Sequence, residues 1–112
     1  MKYAMLIHEK PGYVEALAEE EQRAVLAEYT ALRDDPRRVA SAQLQPIETA
    51  TTVRMQDCQT LTTDGPYADT KEVFGGYYVL EADNLDEAIE LAVRIPAARL
   101  GGAIEVRPLV ER

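Results

Sequence analysis

The side chains of this chain with the clearest capacity for chemistry are few and widely spaced. His8 is the one histidine and Cys58 the one cysteine. A neutral imidazole beside a carboxylate makes an acid/base unit that works near neutral pH. Asp64, which opens the stretch Asp64-Gly65-Pro66-Tyr67, is the candidate partner for His8. Glu105 and Arg107 stand two residues apart in a run that alternates like a strand, which places both on one face. Two uses are open to them: Arg107 clamps an anionic group of a ligand, or the two form a structural salt bridge. Tyr77 is a further candidate for lining such a site. Lys71, flanked by Asp69 and Glu72, either contributes to ligand binding or orders its own loop. The carboxylates Asp64, Asp69 and Glu72 do not have the spacing of an EF-hand. A lone cysteine can neither pair within the chain nor begin a zinc site, so neither a metal nor a cofactor is expected. The Asp64-Gly65-Pro66 sequence also reads simply as a turn closed by the aspartate side chain.

These residues need elements to position them. Tyr3 to Ile7 is a short apolar run ended by Pro11-Gly12, which reads as a buried strand. From Leu17 to Leu32 the residues Leu17, Val25, Leu26, Tyr29 and Leu32 form one helical stripe, with acidic residues at its start and Asp34-Asp35-Pro36 at its end. Val39 to Gln45 alternates as a half-covered strand. Thr49 to Met55 and Gln59 to Thr63 flank a polar Gln56-Asp57-Cys58 turn and form a hairpin. An aperiodic loop runs to Gly75-Gly76, a pair that marks a bulge or a close backbone approach. Tyr77 to Ala82 is a strand. Asn84, with Glu87 three residues on, caps a second helix in which Ala88, Ile89, Ala92 and Ile95 share a face. Ala103 to Pro108 closes the chain as a strand. Without the hairpin the order is βαββαβ, an α+β ferredoxin-like antiparallel sheet with both helices on one face, built as a single domain over residues 1–112.

Helices on one face leave the other uncovered. Strand parity puts Tyr77, Val79, Glu81, Glu105 and Arg107 there, and Gln43 and Gln45 with them. A face of this mixed polarity suits the inner wall of a cleft between two sheets, so a homodimer is expected. In the expected topology the first strand and the Tyr77 strand run parallel, which sets His8 about 20 Å from the entry of the Asp64 loop. The two would then meet only across a dimer or through loop movement.

Composition narrows the partners. Of 112 residues 46% are hydrophobic, enough for a folded core, and 20 acidic against 12 basic residues give a formal charge of -8. That charge opposes direct binding to nucleic acid or to an anionic membrane. The apolar N-terminal run is too short for a secretion signal or a membrane span, and together with the single cysteine it points to the cytoplasm.

The stretch from Asp64 to Glu72, followed by Gly75-Gly76-Tyr77-Tyr78, resembles the YCII-related domain family in its DGPF branch, with Tyr67 where the branch has phenylalanine. The opening Met1 to Ile7, Leu44-Gln45-Pro46, Thr51-Thr52-Val53-Arg54, Leu85-Asp86-Glu87-Ala88, Ile95-Pro96-Ala97-Ala98 and Ile104 to Pro108 are similar to that branch as well. The resemblance implies a dimeric α+β barrel of undefined activity. It is compatible with a small-molecule enzyme or ligand-binding protein acting in the dimer cleft. It is equally compatible with a non-catalytic accessory module, because such relatives are associated with extracytoplasmic-function sigma factors. Some members of the wider family look like enzymes with a histidine on the first helix paired to an aspartate. This chain has no histidine in that helix, so the pair does not carry over.

Overall fold

The computed structural model describes residues 1–111. Strand β1 (Lys2–Glu9) leads through a turn to helix α1 (Glu19–Arg33), and β2 (Arg38–Gln43) follows. A hairpin of β3 (Thr51–Gln56) and β4 (Gln59–Asp64) comes next, then β5 (Val73–Glu81), α2 (Leu85–Ala92) and β6 (Ala103–Pro108). Four strands form one sheet in the order β2-β5-β1-β6, with every neighbour antiparallel, and β3-β4 forms a separate two-stranded sheet. This is the α+β ferredoxin-like arrangement with an inserted hairpin.

The alternation of apolar residues decides which face meets the helices. Tyr3, Met5 and Ile7 of β1 and Tyr78 and Leu80 of β5 are buried against Leu32 of α1 and Ala88, Leu91 and Ala92 of α2. Met5, Leu80 and Ile95 are completely covered. In α2 it is Leu91 that turns inward, while Ile89 stays 46% exposed, because the buried stripe runs through Ala88, Leu91, Ala92 and Ile95. The α2 cap forms as expected: the Glu87 backbone N–H donates to Asn84 Oδ1 at 2.9 Å. The reciprocal bond goes one residue further out, from the Asp83 N–H to Glu87 Oε2.

The end of α1 is held more firmly than its sequence suggests. Asp35 accepts from the Arg37 backbone N–H at 2.8 Å and from both Arg37 Nε and Nη2, and Arg94, just past α2, reaches the same carboxylate at 3.3 Å. The Arg37 guanidinium and backbone N–H, with Arg94, hold the Asp35 carboxyl well below the usual carboxylate range, although burial opposes them.

Two expectations fail here. β1 and β5 are antiparallel, with His8 opposite Phe74 and Lys2 opposite Glu81. The parallel orientation required them to point the same way, whereas the return path through α1, β2 and the hairpin reverses β5. Gln43 also does not lie on the open face. Gln43 pairs with Gly76 and Ser41 with Tyr78, which sets both on the helix side, while Ala40 and Ala42 face outward opposite Val79 and Tyr77. A register shift between Arg38 and Ala40 offsets the simple parity count. Gln45 lies beyond the end of β2.

The β3-β4 hairpin is an arm. Apart from Thr52, every residue of its two strands is exposed, including Val53 at 61% and Met55 at 66%. Its turn places Asp57 and Cys58 at φ of 50° and 63°, as a two-residue hairpin loop with the strands' own twist requires. The arm spreads the molecule to 45 × 42 × 20 Å, with a radius of gyration of 15.9 Å. A compact chain of this length would have one of about 13 Å.

Candidate functional site

The uncovered face of the four-stranded sheet brings together three of the sequence candidates. His8 lies at the end of β1 and Glu105 on β6, where it stands opposite Leu6. That diagonal offset lets the side chains meet, with His8 Nε2 3.4 Å from Glu105 Oε1. The other carboxylate oxygen, Oε2, is 3.9 Å from Arg107 Nε. Glu105 is therefore shared between an imidazole and a guanidinium. The Phe74 ring, 5.8 Å from that of His8, closes the side toward β5. The Glu105–Arg107 contact is loose and Arg107 remains 69% exposed, which leaves most of its donors available.

Tyr77 is on the same face but not in the same cluster. It pairs with the other side of Leu6, so two strand spacings, about 10 Å, separate its backbone from that of Glu105. Within one chain His8 and Asp64 do not meet. Asp64 ends β4 opposite Thr51, exposed on the arm, and forms no ion pair among the described residues. Its carboxylate does not close the turn either. The Gly65 N–H donates to the Ala50 carbonyl at 2.8 Å, and the Thr52 hydroxyl donates to the Gly65 carbonyl at 2.9 Å. Lys71 is exposed and pairs with no carboxylate within 4 Å among the described residues. Tyr67 lies against Arg54, whose guanidinium is 4.9 Å from the ring centre, so this loop is tied to the arm and not to His8.

A second concentration of chemistry lies on the opposite side of the sheet. A groove of about 520 Å³ runs between β5, the β2 edge and α1, lined among others by Glu9, Tyr13, Tyr29, Ser41, Gln43 and Tyr78. Tyr13 and Tyr29 share a short hydroxyl–hydroxyl hydrogen bond, and the Tyr78 hydroxyl donates to the Tyr29 carbonyl. Burial pushes all three phenols up, most of all Tyr29. Burial, with the nearby Glu15 charge, also raises the Glu9 carboxyl. Gly75 and Gly76 form the groove's floor; at Gly76 the neighbouring backbone leaves no room for a side chain, while at Gly75 a side chain would displace the Glu9 carboxylate. A Cβ on Gly75 would lie 1.8 Å from Glu9 Oε1, and one on Gly76 would lie 2.7 Å from the Ala42 carbonyl oxygen. Gly75 is the extra residue where the β1-β5 register shifts between Ile7 and His8, so the bulge anticipated at the glycine pair is present. Sequence reading missed Glu9, Tyr13 and Tyr29. The available signal was parity: Glu9 follows His8 and so turns to the opposite face.

The fold, with one covered and one open sheet face and an inserted arm, defines the class as a small α+β domain of the ferredoxin-like kind. The chain belongs to the YCII-related domain family, whose model matches residues 1–112. It is similar to the uncharacterized protein R00369 of Rhizobium meliloti (strain 1021), with 32% identity across 97% of this chain and 92% of that one. No helix among the described residues is long and apolar enough to cross a membrane.

Proposed function

We propose that two copies of the chain stack their open sheet faces and bind a small anionic molecule in the cleft between them. Arg107 holds the anionic group, and the His8–Glu105 pair exchanges a proton with the ligand. The observation that carries this reading is the shared Glu105 carboxylate, 3.4 Å from His8 and 3.9 Å from Arg107 on a face that no helix covers. Glu105 orients the imidazole, while Arg107 keeps enough free donors for a carboxylate or phosphate. Leu6, Val79 and Phe74 on the same face supply apolar surface for the stacking, and the arm reaches onto the second copy. An isolated two-stranded hairpin is marginal in water, so the exposed Val53 and Met55 favour such a partner.

Inorganic phosphate and phenylacetate are suitable probes. Calorimetric titration should show saturable binding that Arg107→Ala weakens by about tenfold or more, the usual scale for a lost charge-assisted bond. His8→Gln should preserve binding but remove any pH dependence of proton uptake on binding. Sedimentation should give a dimer at micromolar concentration. A folded monomer, or anion binding indifferent to Arg107→Ala, refutes the reading.

The exposed arm also favours a second reading, in which the chain is a non-catalytic module that docks on a sigma factor. The acidic surface would suit a basic protein face. Co-purification of a sigma factor from the native host, lost on removal of the arm and retained in Arg107→Ala, would support it.

A further inference from the structure

The groove between α1 and the sheet holds a carboxylate that has no partner. Among the described residues Glu9 makes no hydrogen bond and no ion pair, yet it is half-buried, with its Oε1 over the backbone of Gly75. No protein group among the described residues meets its oxygens, and these stay open to the groove, where a ligand can reach them. The surroundings specify what that ligand would be. The phenol rings of Tyr13, Tyr29 and Tyr78 and the apolar side chains of Val14 and Leu26 form the walls, and Leu26 remains 57% exposed on an otherwise core-forming helix stripe. The charged groups of the lining are Glu9, Glu15 and Arg33, and Arg33 is bonded to Asp34 at 3.3 Å. Arg99, which neighbours Tyr13, is held in a two-bond pair by Glu28. Arg38 donates to Ser41 Oγ at 3.3 Å and adds a cation at the β2 rim, whereas the unpaired charge at the floor is the Glu9 carboxylate.

We infer that this groove is a second ligand site, on the face opposite the His8–Glu105 pair, and that it takes a small organic ammonium ion with an apolar body. The ammonium sits on the Glu9 carboxylate above Gly75, and the body lies against the tyrosine rings, which attract cations through their faces. The Tyr13–Tyr29 hydroxyl pair keeps one proton for itself and has one left to donate to an acceptor on the ligand. The raised Glu9 carboxyl agrees with this: a bound cation returns to the carboxylate the stabilisation that burial removes.

Benzylamine and benzyl alcohol differ chiefly in the charge of the group that would meet Glu9, and titration of each into the full-length protein at neutral pH tests the inference. Benzylamine should bind saturably and the alcohol about tenfold more weakly or less, with Glu9→Gln reducing the amine to the level of the alcohol. Gly75→Ala supplies an independent variant. Its Cβ takes the place of Glu9 Oε1 and drives the carboxylate out while keeping the charge, so it too should lose the amine. It decides the question if Glu9→Gln does not fold. Phosphate binding measured in the same Glu9→Gln protein reports on the opposite face and should persist, which separates the two sites. Equal binding of amine and alcohol, no saturable binding of the amine, or amine affinity unchanged in a folded variant overturns the inference.

Discussion

Replacing Asp35 by asparagine removes one negative charge from the junction of α1 and β2 and leaves the shape intact. In the native protein its side chain is only 8% exposed, and it receives the paired bonds of Arg37 at 2.9 and 3.0 Å and the Arg94 contact at 3.3 Å. Both guanidinium side chains are 42% exposed, so solvent screens them and each pair approaches the surface value of about 1 kcal/mol rather than the larger cost of breaking a fully buried pair. Asparagine retains an acceptor for the Arg37 backbone N–H. The expected loss at neutral pH is therefore about 2 kcal/mol, or about 10 °C in Tm for a domain of this size. The pH dependence supplies a second check. The folded carboxyl lies below its unfolded value, so its contribution is complete above about pH 4 and is lost as pH falls through the folded value. Urea unfolding of wild type and Asp35→Asn at pH 7 and near pH 2.5 should show a gap that narrows in acid. Coincident curves at pH 7, or a gap independent of pH, would refute the claim that these charges pin the junction.

Leu80→Ala empties a completely covered position between the sheet and the helices and should cost about 2–5 kcal/mol in chemical denaturation. Gly76→Ala sets a Cβ 2.7 Å from the Ala42 carbonyl oxygen, so β2 must move off β5. The expected cost is about 1–3 kcal/mol, with faster amide exchange concentrated in β2. Asn84→Ala deletes the α2 cap and should lower stability by about 1 kcal/mol, read from the shift in urea midpoint. Val53→Ser combined with Met55→Ser should shift sedimentation toward monomer while the melting of the body stays unchanged. A variant that sediments like the native protein would mean the arm takes no part in assembly.

Much of the fold was legible because its signals are local. The apolar run from Tyr3 to Ile7, the cap at Asn84, the Gly75-Gly76 bulge and the breaks at prolines each depend on a few neighbouring residues whose backbone preferences and hydrophobicity act before any tertiary contact. Glu105 and Arg107 could be assigned to one face for the same reason. Direction and partnership were not local. Whether β1 runs with or against β5 depends on the whole path between them, and the antiparallel answer brings Phe74 to His8. One bulge between Arg38 and Ala40 carries Gln43 to the helix side. The partner of His8 is Glu105, ninety-seven positions away in sequence numbering and one strand away in space, while Asp64, conspicuous in its motif, stands on the arm. The sequence by itself determined most of the elements, the covered and open faces of β5 and β6, and the family. Only the tertiary structure decided which charges meet, because side chains pair through strand register and helix packing, and these are settled by contacts between segments that no local pattern records.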